Sequence, residues 1–205
     1  MKKSNLITNL VASILCLCTF SNTLWSQEKN TNANQFIQGD STYTITKSSD
    51  IVYLKKNQFS IRYFSKPYDS DKSKFYAMRV AALTDAKDTI VLKNEKKTEN
   101  ISYFEPGTGI APGENEMYDI IYFSQHAHHY LMFENQKDKR AYFISKYKDL
   151  VELEWKIFGV NFKAKEMKIK DFKKSTFYLV FFYDKNLNDK IDKEELKIVT
   201  VKLLD

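Results

Sequence analysis

In the segment Val151-Glu152-Leu153-Glu154-Trp155-Lys156-Ile157, apolar and charged side chains alternate without a slip. On an extended backbone successive side chains point to opposite faces, so this segment has one dry face and one wet face. That period of two predicts a half-buried strand. The same alternation recurs at Phe59, Ile61 and Tyr63 around Arg62, and at Met167 and Ile169 between Lys168 and Lys170. Residues 42–46, 51–54, 75–83, 89–92, 118–123, 130–133 and 140–145 carry further strand-like runs, divided by polar breaks such as 67–74 and 93–100. Residues 177–183 are almost continuously apolar, as expected of a strand covered on both faces. Many short strands with little sustained helical period predict a mainly β single domain, an antiparallel sandwich or barrel.

The start of the chain reads differently. Lys2 and Lys3 precede an apolar run over residues 10–20, the length of a secretory h-region and too short to span a bilayer. Residues 1–26 are therefore expected to be a signal peptide cut after Ser26, with the mature chain exported to the periplasm, the cell surface or the exterior. The mature chain carries no transmembrane pattern. Cys16 and Cys18 both lie inside the run, so cleavage leaves no thiol, which excludes disulfides, cysteine nucleophiles and cysteine-based zinc sites together. Leu17 is bulky where a lipoprotein signal takes a small residue, which argues against a lipid anchor at Cys18. Residues 27–40, rich in Asn, Gln and Thr, read as a flexible leader, and 41–205 as the β-rich domain.

Charge bounds the partners. The formal charge of +6 falls to +4 when Lys2 and Lys3 are lost, there being no acid among residues 1–26. Lysines are interspersed with acids in most segments, without the basic stripe of a nucleic-acid binder. No nucleic-acid partner is expected, and the sequence names no other, leaving an extracellular protein or a polysaccharide open. Residues 163–174 are lysine-rich, as an exposed edge strand guarded against aggregation would be.

Several constellations could carry chemistry. All three histidines fall in Gln125-His126-Ala127-His128-His129-Tyr130. On a strand His126 and His128 project from one face, a spacing that suits a shared zinc or copper ion. A catalytic zinc needs a third protein ligand, for which Glu116 and Glu134 are candidates, and the competing expectation is a polar loop between two strands. Ser124 has no nucleophile-elbow pattern around it. Residues 105–114, EPGTGIAPGE, hold three of the five glycines and two of the three prolines and are expected to form one long irregular loop. The Gly107-Thr108-Gly109 portion lacks the strand, helix start and lysine of a phosphate cradle. Glu152 and Glu154 share a strand face, whereas carboxylates for sugar hydrolysis come from separate elements, so a solvated pair is expected.

The most specific pattern is YDKNLNDKIDKEEL, residues 183–196. Calcium takes six to eight oxygens, and a twelve-residue loop supplies them from positions 1, 3, 5, 7, 9 and 12. Those positions here are Asp184, Asn186, Asn188, the backbone carbonyl of Lys190, Asp192 and, as a bidentate carboxylate, Glu195. Over this loop the chain resembles the EF-hand family, which implies calcium as cofactor and these residues as ligands. Asp189 stands where the family has glycine, at a left-handed turn that Asp tolerates at some energetic cost. The flanks 177–183 and 198–201 are strand-like where the family has helices, which predicts a calcium loop joining two strands with Ile191 pointing inward. Lys185, Lys190 and Lys193 soften the acidic field, and the expected affinity is that of extracellular modules, about 10⁻⁴ to 10⁻³ M.

The sequence thus reads as an exported calcium-binding β-domain with a structural or ligand-binding role. One alternative is a secreted metal-dependent enzyme with His126 and His128 as ligands of zinc and loop 105–114 at its mouth. Another is a carbohydrate-binding module using some of the 13 tyrosines and 15 phenylalanines as stacking surfaces.

Overall fold

The alternation at 151–157 extends into a strand of 13 residues, with Val151, Leu153, Trp155 and Ile157 buried and Glu152, Glu154 and Lys156 half-buried on the opposite face. The structure is a computed structural model, and it describes residues 28–67, 78–94, 97–101, 104, 109–113, 118, 120–123, 129–134, 141–162, 164–192 and 194–205. In chain order the strands are β1 (Asn34–Gln38), β2 (Ser41–Ile45), β3 (Ile51–Lys55), β4 (Phe59–Ser65), β5 (Arg79–Leu83), β6 (Gly109–Pro112), β7 (Ile120–Phe123), β8 (His129–Phe133), β9 (Tyr142–Tyr147), β10 (Leu150–Phe162), β11 (Lys165–Lys168), β12 (Thr176–Phe182) and β13 (Leu196–Leu204). A short helix, α1 (Asp88–Asn94), and a 3-10 turn at Thr98–Asn100 follow β5.

The first sheet has seven strands on the path β11-β10-β4-β1-β2, with β8 and β9 also pairing β10. The second has four, ordered β3-β13-β12-β5, antiparallel except for the parallel pair β13 and β3, in which Val201 lies opposite Val52. β6 and β7 form a separate two-stranded ribbon. One hydrophobic core joins the two larger sheets: Phe36, Ile61, Tyr63, Leu153 and Trp155 from the first meet Leu54, Phe177, Leu179, Val199 and Val201 from the second. The fold is a mainly β sandwich of two sheets, and Thr31–Asp205 form one compact unit.

A second core explains the apolar run of β12. Phe177, Leu179 and Phe181 belong to the sandwich interior, whereas Val180 and Phe182 pack on the other face with Leu92 of α1, Ile101 and Phe104. Both faces are covered, so both parities are apolar.

Four expectations are corrected. Residues 34–38, read as part of a leader, form β1 between β2 and β4, with Phe36 fully buried. Residues 89–92 are not a strand but lie in α1, where a helical period puts Thr89 and Leu92 inward and leaves Ile90 exposed. Part of the 105–114 loop is strand: Gly109–Pro112 pair with Ile120–Phe123, and Ile110 also bridges Met78. Ile169 leaves the strand and enters a 3-10 turn, Ile169–Asp171, which ends β11 at Lys168. β11 itself stands at a sheet edge, as its lysines predict.

Candidate metal centre

The loop between β12 and β13 is closed at its neck by pairing of Phe182 with Leu196 and by the Tyr183 amide donating to the Glu195 carbonyl at 2.9 Å. Strand register thereby brings loop positions 1 and 12, Asp184 and Glu195, to the same end. Both carboxylates are buried, at 6% and 5% exposure, and both are held by loop backbone. Asp184 Oδ1 accepts from Asn188 N at 3.1 Å and Oδ2 from Asp189 N at 2.8 Å. Glu195 Oε1 accepts from Lys185 N at 2.8 Å and Oε2 from Asp192 N at 3.1 Å.

The remaining side chains fold the loop on itself. Asn186 Oδ1 accepts from Asn188 N at 3.2 Å, and Asn188 Oδ1 from Lys190 N at 2.8 Å, two Asx turns that follow from these residue types at these spacings. The Nδ2 groups of Asn186 and Asn188 both donate to Asp192 Oδ2, at 2.7 and 2.8 Å. Those two amide donors, with Lys190 behind them, hold the Asp192 carboxyl below the usual carboxylate range. Asp189 at position 6 adopts φ of 57°, the left-handed turn the pattern calls for, and Leu187 does so at 59°. Among the described residues, no three or more His, Cys, Asp or Glu side chains gather as a metal-holding group.

Distant parts of the chain anchor the loop. The Asp189 carbonyl accepts from Thr98 N at 3.1 Å and Thr98 Oγ1 at 3.0 Å, and Lys97 bridges Lys190. Arg79 of β5 is buried over the Phe182 ring and places Nη2 3.6 Å from Asp189 Oδ1. Burial lowers the pKa of that guanidinium, against the pull of Asp189 and Asp184. Ile191 is half-buried against the second core, as position 8 predicts. Neither Arg79 nor Thr98 is marked by any motif, because their role arises only from long-range packing.

A cavity of about 270 Å³ lies beside the loop and is lined in part by Lys185, Glu194, Glu195 and Lys197. Lys197 Nζ donates to the Asn32 carbonyl and to Asn34 Oδ1 at 3.2 Å. Burial first, then repulsion from Lys185, pushes its pKa down to about 8. Tyr63 lines the same cavity, and burial raises its phenol pKa.

Other predicted residues fall elsewhere. His126, His128, Glu116 and Ser124 lie outside the described residues, as do residues 1–26. Glu134 is exposed and faces Lys156 at 3.7 Å. Glu152 accepts from Ser145 Oγ at 2.5 Å and Glu154 from Arg62 Nε at 2.6 Å, so each is engaged separately on the sheet face. Among the described residues the exposed aromatics are Tyr53, Tyr142 and Phe143, on two different strands. No helix among the described residues is long and apolar enough to cross a membrane.

No protein-family model matches the chain, and no curated protein or solved structure is significantly similar to it.

Proposed function

We propose that the protein is an exported calcium-binding β-domain in which residues 184–195 hold one ion for structural support. The observation that carries this reading is the pair of buried carboxylates, Asp184 and Glu195, at opposite ends of a loop whose sixth position is left-handed. Each of their four oxygens accepts one backbone N–H and keeps a further lone pair for a hard cation. Asn186, Asn188, Asp192 and the Lys190 carbonyl complete an all-oxygen donor set of the kind calcium prefers. The Asn186 and Asn188 amides, donating to Asp192 Oδ2, draw that carboxylate in towards the other oxygens of the loop. Arg79, so close to Asp189, weakens the field at the loop and favours the millimolar range over the tight range of cytosolic buffers.

The test is a thermal melt of the purified chain in calcium and in chelator. Calcium tenfold above its dissociation constant adds about 1.4 kcal/mol, which raises Tm by about 3–6 °C in a domain of this size. Glu195→Ala should abolish the difference. Identical wild-type melts in about 10 mM calcium, tenfold above a millimolar dissociation constant, and in chelator would remove the basis for the reading.

A further inference from the structure

The cavity beside the loop has a charge pattern that the calcium reading does not use. Lys66, Lys185 and Lys197 line it together with two acids, Glu194 and Glu195, and the Lys66 ammonium faces Asp149 at 3.6 Å. Lys185 Nζ donates to Asn32 Oδ1 at 3.0 Å, and Lys197 donates to the Asn32 carbonyl and to Asn34. These partners are neutral amide oxygens, so the hydrogen bonds themselves do not neutralise either cation, and Asp50 exerts a weaker attraction on Lys197. The remaining wall is apolar, with Phe64, Met78, Leu150 and Phe181. Within this wall the Tyr63 hydroxyl is buried and has no hydrogen-bond partner. An unsatisfied buried hydroxyl is destabilising, and Tyr63 lines the cavity, so a ligand held there can supply the missing partner.

We propose that this cavity binds a small organic monoanion, a carboxylate carried on an aromatic or apolar body. Lys185 and Lys197, whose hydrogen-bond partners are neutral, offer charge to a single carboxylate, and Glu194 and Glu195 on the same wall disfavour a dianion. The aromatic and aliphatic wall suits an apolar body, and a volume of about 270 Å³ limits the ligand to roughly one ring. The Tyr63 hydroxyl donates to the ligand, and Lys185 and Lys197 add charge-assisted donors. One consequence rests on the calcium reading: Glu195 belongs to both sites, so an ion that neutralises it makes the cavity more positive and tightens the anion, with equal reinforcement in return.

Isothermal titration of the purified chain at pH 7 with benzoate, benzamide and inorganic phosphate tests this, first in chelator and then in calcium. In chelator, benzoate should bind saturably and more tightly than phosphate, and the neutral isostere benzamide should not bind. Tyr63→Phe and Lys197→Met should each weaken benzoate at least tenfold, with Lys185→Met at the loop side serving if either fails to fold. Absence of saturable benzoate binding, equal binding of benzamide, tighter phosphate, or unchanged affinity in the variants overturns the anion site. In calcium the wild type should bind benzoate several-fold more tightly and Glu195→Gln should not; benzoate binding that calcium leaves unchanged overturns the coupling alone, while the anion site stands.

Discussion

Gly159 occupies a position where the fold has room for a hydrogen and nothing larger. It lies at the register shift between β10 and β8, and a Cβ built there would meet the Met167 carbonyl oxygen at 2.6 Å and Met132 Sδ at 3.2 Å. The carbonyl is β11 backbone and cannot rotate away as a side chain would. Gly159→Ala should therefore cost about 1–3 kcal/mol, measured as a shift of the denaturant midpoint, and an unchanged midpoint would contradict the close approach. Asp189 answers a different demand, combining φ of 57° with a carboxylate 3.6 Å from the buried Arg79. Asp189→Asn keeps the tolerance for a left-handed turn and removes only the charge. It should lower stability by about 1–2 kcal/mol, less than a fully buried pair would lose because Asp189 is itself half open to solvent, and equilibrium unfolding of the two proteins decides this.

At the scale of elements, β1 is the piece whose loss should be most damaging for its length. Its five residues pair β2 on one side and β4 on the other, and the Phe36 ring packs against Phe59 and Phe181, tying the two sheets together. Phe36→Ala should cost about 3–5 kcal/mol, and a loss below 1 kcal/mol in a urea titration would mean that β1 docks loosely. This strand also marks where sequence reading stops. Its neighbours in sequence are mostly polar, and two buried positions, Asn34 and Phe36, one of them polar, are too few to give a legible period. β10 and β4 were legible because each buries one face over seven or more residues, so the period is long enough to stand out. The strand prediction at 89–92 failed because four apolar or β-branched residues fit either period, and the arbiter was the second core, which sequence spacing does not reveal. In the candidate site the loop positions and the left-handed turn were readable as local spacing. The clamp by Thr98 and Arg79, 91 and 110 residues away from Asp189, was not.

At the scale of the molecule, the second core rests on the outer face of β5 and β12, and the loop adds a fastening for the segment that covers it. The segment around Thr98 has its bonds to the Asp189 carbonyl, and Ile191 packs into the cluster containing Leu92, Ile101 and Phe104. The sandwich interior, built around Trp155, Ile61 and Leu179, makes no use of the loop in the same way, being sealed by sheet-on-sheet packing. Local stability can therefore differ between the two layers, since opening one does not require opening the other. On the calcium reading, removing the ion should release the outer layer first. Amide hydrogen exchange followed in calcium and in chelator should show faster exchange at Thr98, Ile101 and Phe104 on chelation, by about tenfold for an ion contributing near 1.4 kcal/mol to that layer. Amides of Ile61, Leu153 and Trp155 should lose protection only to the extent that global unfolding contributes. A uniform loss across both groups would show that the two cores open as one cooperative unit, and the loop would then be a brace for the whole sandwich instead of a fastening for its outer cover.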